Sequence, residues 1–212
     1  MKIAFYFDPS CPFSWITSRW LLVVQSQVED LEIAWKPFAL AIKNGEILED
    51  AAESEYAKAH RESLRVLRVM QAAEVEEGAN LLQLYTEFGT QKHIMFEEYT
   101  DEILLRSLEN LGLPQTLLKN ADSKIYDDAL SNFIHEATEI VGKDIGVPTI
   151  VFTLNDGQQI GYFGPVLQSL PSKEDSLKIW NGLSNLATTK EFFELKRNRP
   201  AGNPDTPSTA RC

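Results

Sequence analysis

Cys11 is where this sequence concentrates its chemistry. It lies in Asp8-Pro9-Ser10-Cys11-Pro12-Phe13-Ser14-Trp15. Before it, Lys2 to Phe7 is an apolar run that reads as a buried strand; after it, Ile16 to Val28 carries apolar residues at helical spacing. The thiol therefore falls where a strand hands over to a helix. The first backbone N–H groups of a helix lack internal acceptors and favour negative charge beside them. An ordinary cysteine titrates near pH 8.5, but at a helix N-terminus the value drops to roughly 3.5 to 7.5, which turns an idle thiol into a nucleophile. Pro12 suits the first helical turn, since its fixed φ matches the helix and its missing N–H would have been unpaired. Phe13, in the same turn, is expected to stand partly exposed beside the thiol. Ser14 has two readings, a helix-surface hydroxyl or a donor to the Cys11 thiolate.

Gly146-Val147-Pro148-Thr149 is the second chemical feature, because a proline opening a strand that otherwise reads as buried donates no hydrogen bond. The histidines His60, His93 and His135 are far apart and lack ligand spacing, so no metal site is expected. Cys212, the final residue, reads as a bystander.

The elements that must position these residues follow from periodicity. A strand at Lys2 to Phe7, a helix from about Pro12 to Val28 and an alternating strand at Leu31 to Lys36 make a βαβ unit, which should be parallel with a right-handed crossover. From Glu46 to Val141 the composition turns to helix formers punctuated by Gly78, Gly89, Gly112 and Pro114. Helices are expected near 51–77, 79–88, 101–111 and 122–141. The last carries Ile125, Ala129, Phe133, Ala137 and Ile140 as an apolar stripe, with Asp122 as its cap. Strand signals resume at Val147 to Leu154, turn at Asn155-Asp156-Gly157 and return through Gln159 to Phe163, an antiparallel hairpin. A helix from Lys173 to Leu186, capped by Ser172, and a short one at Lys190 to Arg197 complete the pattern. The Pro-, Gly-, Ser- and Thr-rich tail, 199–212, reads as flexible.

The motif Asp-Pro-Ser-Cys-Pro-Phe-Ser-Trp after a first strand resembles the DsbA-like branch of the thioredoxin superfamily. Together with Trp15 to Leu22 it is most similar to actinobacterial mycothiol-dependent reductases and nitroreductases, a FrnE-like group related to the chromene-carboxylate isomerases and kappa glutathione transferases. The resemblance implies an α/β thioredoxin fold with an inserted α-helical domain. Residues 1–43 and 142–198 would be the thioredoxin halves and 44–141 the insert. It implies a cis-proline at Pro148 facing Cys11, with the Val147 backbone offered to an extended substrate. Asn44 stands where related reductases carry a pocket asparagine, and Tyr56 and Arg61 are further pocket candidates. Mycothiol is implied as thiol co-substrate, with no permanently bound cofactor. Those relatives carry a second, resolving cysteine where this chain has Ser14. A serine cannot close an internal disulfide, so a Cys11 adduct would have to be released by an outside thiol. Ser14 is then either an engineered replacement or a natural monothiol variant, and nitroreduction, which uses the dithiol in the family, is in question. The competing class is a kappa-transferase or isomerase type of enzyme, which resembles this motif at Pro12, Ser14 and Trp15 but holds a serine where Cys11 stands.

Bulk properties narrow the partners. A net charge of −11 argues against nucleic-acid or anionic-membrane binding. The opening residues lack a signal-peptide pattern and no stretch is long enough to span a bilayer. Two cysteines do not make a disulfide scaffold. The expectation is a soluble cytoplasmic enzyme, monomer or homodimer, acting on low-molecular-weight thiols and disulfides.

Overall fold

The computed structural model describes residues 1–48, 51–189 and 191–210. The chain forms two compact units, one of Met1–Tyr6, Pro12–Trp35 and Glu136–Cys212, the other of Phe7–Cys11 and Lys36–His135.

The first unit is built on a sheet of order β2-β1-β3-β4. Its strands are β1 (Lys2–Phe7), β2 (Glu32–Pro37), β3 (Thr149–Thr153) and β4 (Gln159–Phe163). The Glu32 N–H donates to the Met1 carbonyl and the Phe38 N–H to the Phe7 carbonyl. Both strands thus advance together and β1 and β2 run parallel. β3 pairs antiparallel with β1, Phe5 opposite Ile150, and with β4, Phe152 opposite Ile160. The Asp156-Gly157 dipeptide makes the turn, with Gly157 at φ 84°. Gly161 in β4 is needed for close packing, because a Cβ there would meet Val141 Cγ2 at 2.5 Å.

Helix α1 (Pro12–Gln25) buries Ile16, Trp20, Leu21 and Val24, the three-and-four spacing seen in the sequence. It packs against α7 (Lys173–Ala187): the Trp20 indole N–H donates to the Ser176 carbonyl at 3.3 Å, and the Trp20 and Trp180 rings lie 6.2 Å apart. Ser172 caps α7 by accepting from the Asp175 N–H.

The second unit is helical: α2 (Leu40–Lys43), α3 (Glu55–Glu77), α4 (Leu81–His93), α5 (Asp101–Asn110) and the start of α6 (Asp127–Val141), with 3₁₀ turns at Gln115–Asn120 and Lys124–Tyr126. Ser54 caps α3, and Gly78 ends it in the left-handed region at φ 66°. Leu64, Leu67, Met70, Tyr85, Phe88 and Leu104 form its core. Arg68 grips Asp127 with two bonds of 2.7 Å, largely shielded from solvent.

Several expectations change. Asp122 does not cap a helix; it pairs with Arg65 at 2.8 and 3.0 Å, and α6 begins at Asp127. The 3₁₀ turn at Lys124–Tyr126 resets the helical phase. Ile125 lies in that turn and is exposed; of the expected stripe Ala137 is buried and Ala129, Phe133 and Ile140 are half-buried, while Leu130 and Ile134 are the other buried positions of α6. Residues 191–197 form no helix, while Lys190 lies outside the described residues. The stretch from 199, expected to be a flexible tail, is docked. Asp205 bridges to Ser169, a 3₁₀ turn spans Thr206–Thr209, and the buried Trp15 indole N–H donates to Thr209 Oγ1 at 2.8 Å. Cys212 lies outside the described residues.

Candidate active site

Cys11 precedes the first residue of α1 and is partly accessible. Its own N–H donates to the Asp8 carbonyl at 3.0 Å, closing a turn over Pro9 and Ser10. The first turn of α1 carries no acidic side chain, so no fixed carboxylate competes there for the positive end of the helix dipole.

The turn is held by a buried carboxylate. Asp8 is fully buried, and its Oδ1 accepts from the Ser10 N–H at 2.8 Å, the Ser10 hydroxyl at 2.6 Å and the Ser63 hydroxyl at 2.5 Å. Its Oδ2 accepts from the Leu40 N–H at 2.9 Å. A carboxylate is tolerable in such a place because each oxygen meets donors. The next residue is fixed as well. His93 Nε2 donates to the Pro9 carbonyl at 2.9 Å, and the Tyr99 hydroxyl lies 3.3 Å from that oxygen and 3.1 Å from the Phe88 carbonyl. A carbonyl only accepts, so the His93 proton sits on Nε2. Burial pushes His93 down to about 4, against the opposing pull of the Pro9 bond, and the ring is neutral at neutral pH. The Phe7 ring stacks on Tyr85 with centroids 3.9 Å apart. The backbone leading to Cys11 is thus set by α3, α4 and the loop after it.

Ser14 is fully buried, which removes the helix-surface reading, and its Oγ has no hydrogen-bond partner. Phe13 is partly exposed, and the Arg199 guanidinium lies over its ring, 4.9 Å from the centroid. In the first unit the Val147–Pro148 peptide is cis, both residues are buried, and the Pro148 carbonyl accepts from the Gly164 N–H at 2.7 Å.

A family model described as Rv2466c-like, mycothiol-dependent nitroreductase Rv2466c, matches residues 10–197. The chain belongs to this family. The Rv2466c-like chain is 27% identical over 198 residues to the uncharacterized protein Rv2286c of Mycobacterium tuberculosis, covering 92% of this chain and 81% of that one. Among solved structures it is similar to the cytosolic disulfide reductase DsbM from Pseudomonas aeruginosa, at TM-score 0.57 and 14% identity, covering 88% of this chain and all of that one. It is equally similar to the probable DsbA oxidoreductase SCO1869 from Streptomyces coelicolor, at TM-score 0.57 and 16% identity over 97% of each chain. A 2-hydroxychromene-2-carboxylate isomerase follows at TM-score 0.51 and 18% identity, with 88% and 96% covered. The fold is accordingly thioredoxin-like with a helical insertion, as expected. The Rv2466c-like chain is an oxidoreductase of the thiol-disulfide or a related thiol-dependent kind.

Asn44 is exposed and its amide donates to Glu46 at 3.1 Å; Tyr56 is 80% exposed; Arg61 is engaged by Glu53. Sequence reasoning missed the support of the turn: Ser63, His93, Tyr99 and the role of Asp8. The Asp-Pro-Ser run is itself a turn signal and could have revealed Asp8. Ser63, His93 and Tyr99 lie 53 to 90 residues from their partners and leave no local trace. Among the described residues no group of three or more His, Cys, Asp or Glu side chains could hold a metal, and no helix is long and apolar enough to cross a membrane.

Proposed function

We propose that Cys11 is the nucleophile of a monothiol reductase that opens disulfides, including mixed disulfides with mycothiol. The Cys11 thiolate attacks a disulfide R–S–S–R′, forming Cys11–S–S–R and releasing R′S⁻ with the electron pair of the broken bond. A second thiolate, mycothiol in this reading, attacks the outer sulfur, the one that carries R; the bond from that sulfur to Cys11 breaks, Cys11 leaves with the electron pair as thiolate, and mycothiol and R are left joined as a new disulfide. Pro12 and Phe13 follow the nucleophile in the chain, and the family resemblance is the ground for assigning Val147 and Pro148 to substrate binding. Asn44 and Tyr56 line the outer part of the substrate pocket in this reading. The halves 1–43 and 142–198 supply the thioredoxin scaffold around the insert 44–141, in a reducing cytoplasm.

One observation carries this reading. The only sulfur in the motif is partly accessible at the start of α1, while the position three residues on is a buried hydroxyl without a partner. In this reading the Ser14 hydroxyl turns to donate to the Cys11 sulfur once the thiol ionises, because a thiolate is a much stronger acceptor than a thiol. The test is intact-mass analysis after exposure to oxidised mycothiol. A single mycothiol adduct on Cys11, discharged by added mycothiol, is the expected result. Its absence, together with sluggish iodoacetamide labelling at neutral pH, would point to the transferase or isomerase class. Ser14→Cys should raise dithiol-dependent turnover if the site is a resolving position emptied of sulfur.

A further inference from the structure

The two edges of the sheet are finished differently. β2 carries Glu32, paired with Lys2, and Lys36, and it ends at Pro37; charges and a proline are common means of keeping an edge from pairing with another chain. β4, which reads Gln159-Ile160-Gly161-Tyr162-Phe163, has neither a charge nor a proline.

The ladder decides which groups of β4 face outward. The Leu154 N–H donates to the Gln158 carbonyl at 2.8 Å and the Gly164 N–H to the Pro148 carbonyl at 2.7 Å, so the even-numbered residues of this strand bond to β3. Backbone groups alternate sides along an antiparallel pair, and Gln159, Gly161 and Phe163 therefore turn both N–H and C=O to the open edge. None of these outward groups has a hydrogen-bond partner among the described residues. The strand is half-buried to exposed along its length, with Phe163 at 52%.

Elsewhere β4 is held in place. On one face the Val141 side chain fills the space that a Cβ on Gly161 would take. On the other, the Tyr162 hydroxyl lies 3.3 Å from the Leu186 carbonyl and 3.2 Å from the Phe192 carbonyl. The in-plane edge is thus presented in strand geometry before anything pairs with it.

The outward pattern is also self-complementary. Its residues are spaced evenly about Gly161, so a second β4 laid antiparallel about a two-fold axis sets Gly161 against Gly161 and Gln159 against Phe163. In that register every outward N–H meets an outward carbonyl. Although each copy carries a net charge of −11, the paired strands oppose no charges of their own.

We propose that two copies of this chain associate through β4, continuing the sheet from one protomer into the other. An interface one strand long falls at the small end of specific contacts, so the dimer is a reversible one. Association through β4 is independent of what Cys11 does.

Sedimentation velocity over a concentration series, with urea unfolding to confirm that each variant is folded, tests the pairing. The unaltered protein should pass from monomer to dimer as concentration rises. Q159K/F163K sets lysine opposite lysine at both ends of the paired strands and should weaken association about ten-fold. Q159E/F163K sets glutamate opposite lysine instead and should recover it. Q159P, which deletes an N–H that β3 does not use, should also weaken association. A protein monomeric at every concentration, or a dimer indifferent to Q159K/F163K and Q159P, overturns the proposal. Q159E/F163K associating no better than Q159K/F163K overturns it too, since the two-fold register would be wrong. Assembly beyond the dimer has the same force, because two-fold pairing consumes both β4 edges.

Discussion

The chain on the two sides of Cys11 is treated in opposite ways. Upstream, Asp8, Pro9 and Ser10 are over-determined: one buried carboxylate receives four donors and one carbonyl two. Downstream, the buried Ser14 hydroxyl has no hydrogen-bond partner among the described residues, and the half-buried Phe13 ring lies under the Arg199 guanidinium. The contrast separates two jobs. A nucleophile needs a fixed backbone, which is bought with hydrogen bonds that never change during turnover. In the proposed reaction the sulfur would pass between thiol, thiolate and adduct, and the groups that answer those states must not be committed beforehand.

Breaking the upstream side should have the largest effect. Asp8→Ala strands the Leu40 and Ser10 amides and two hydroxyls, and is expected to cost ~3–5 kcal/mol of stability in urea unfolding. A loss below 1 kcal/mol would mean that water replaces the carboxylate and that the turn is not fixed as described.

The acid response of His93 comes next. Its folded value, about 4, lies below the 6.5 of an exposed histidine. The unfolded chain therefore binds the proton first as pH falls. The stability due to the neutral buried ring is complete above pH 6.5, declines on acidification, and has been lost once pH passes 4, a change of up to ~3 kcal/mol. Urea-unfolding profiles of the protein and of His93→Gln between pH 7 and 4 should converge toward the acid end. Parallel profiles would show that His93 is not held neutral by burial.

The smallest change sharpens the downstream side. Ser14→Ala removes a buried hydroxyl that bonds nothing, so stability should rise by about 0.5–1 kcal/mol while Cys11 alkylation at neutral pH slows several-fold. An unchanged alkylation rate would make Ser14 packing alone.

Much of the scaffold was legible because it is written locally. The apolar run at Lys2–Phe7, the Asp-Gly turn and the Ser172 cap each act over a few residues, and the elements fall where those signals stand. The register of α6 was not legible, since a three-residue 3₁₀ turn changes which side chains face inward without altering composition. The tail misled for a related reason. Its polar, Pro- and Gly-rich residues could not form a core of their own, yet Thr206 and Thr209 are buried by partners supplied elsewhere in the chain. Around Cys11, the strand-to-helix junction and the partly exposed Phe13 were legible from residue type and neighbours, whereas the braces on Pro9 depend on residues brought together only by tertiary folding.

The bond between Trp15 and Thr209 makes the last residues part of the wall beside the first helix. A shortened protein ending before residue 199 would leave an indole edge facing water. The intrinsic emission of Trp15 is thus a built-in gauge of whether the C-terminal stretch is seated.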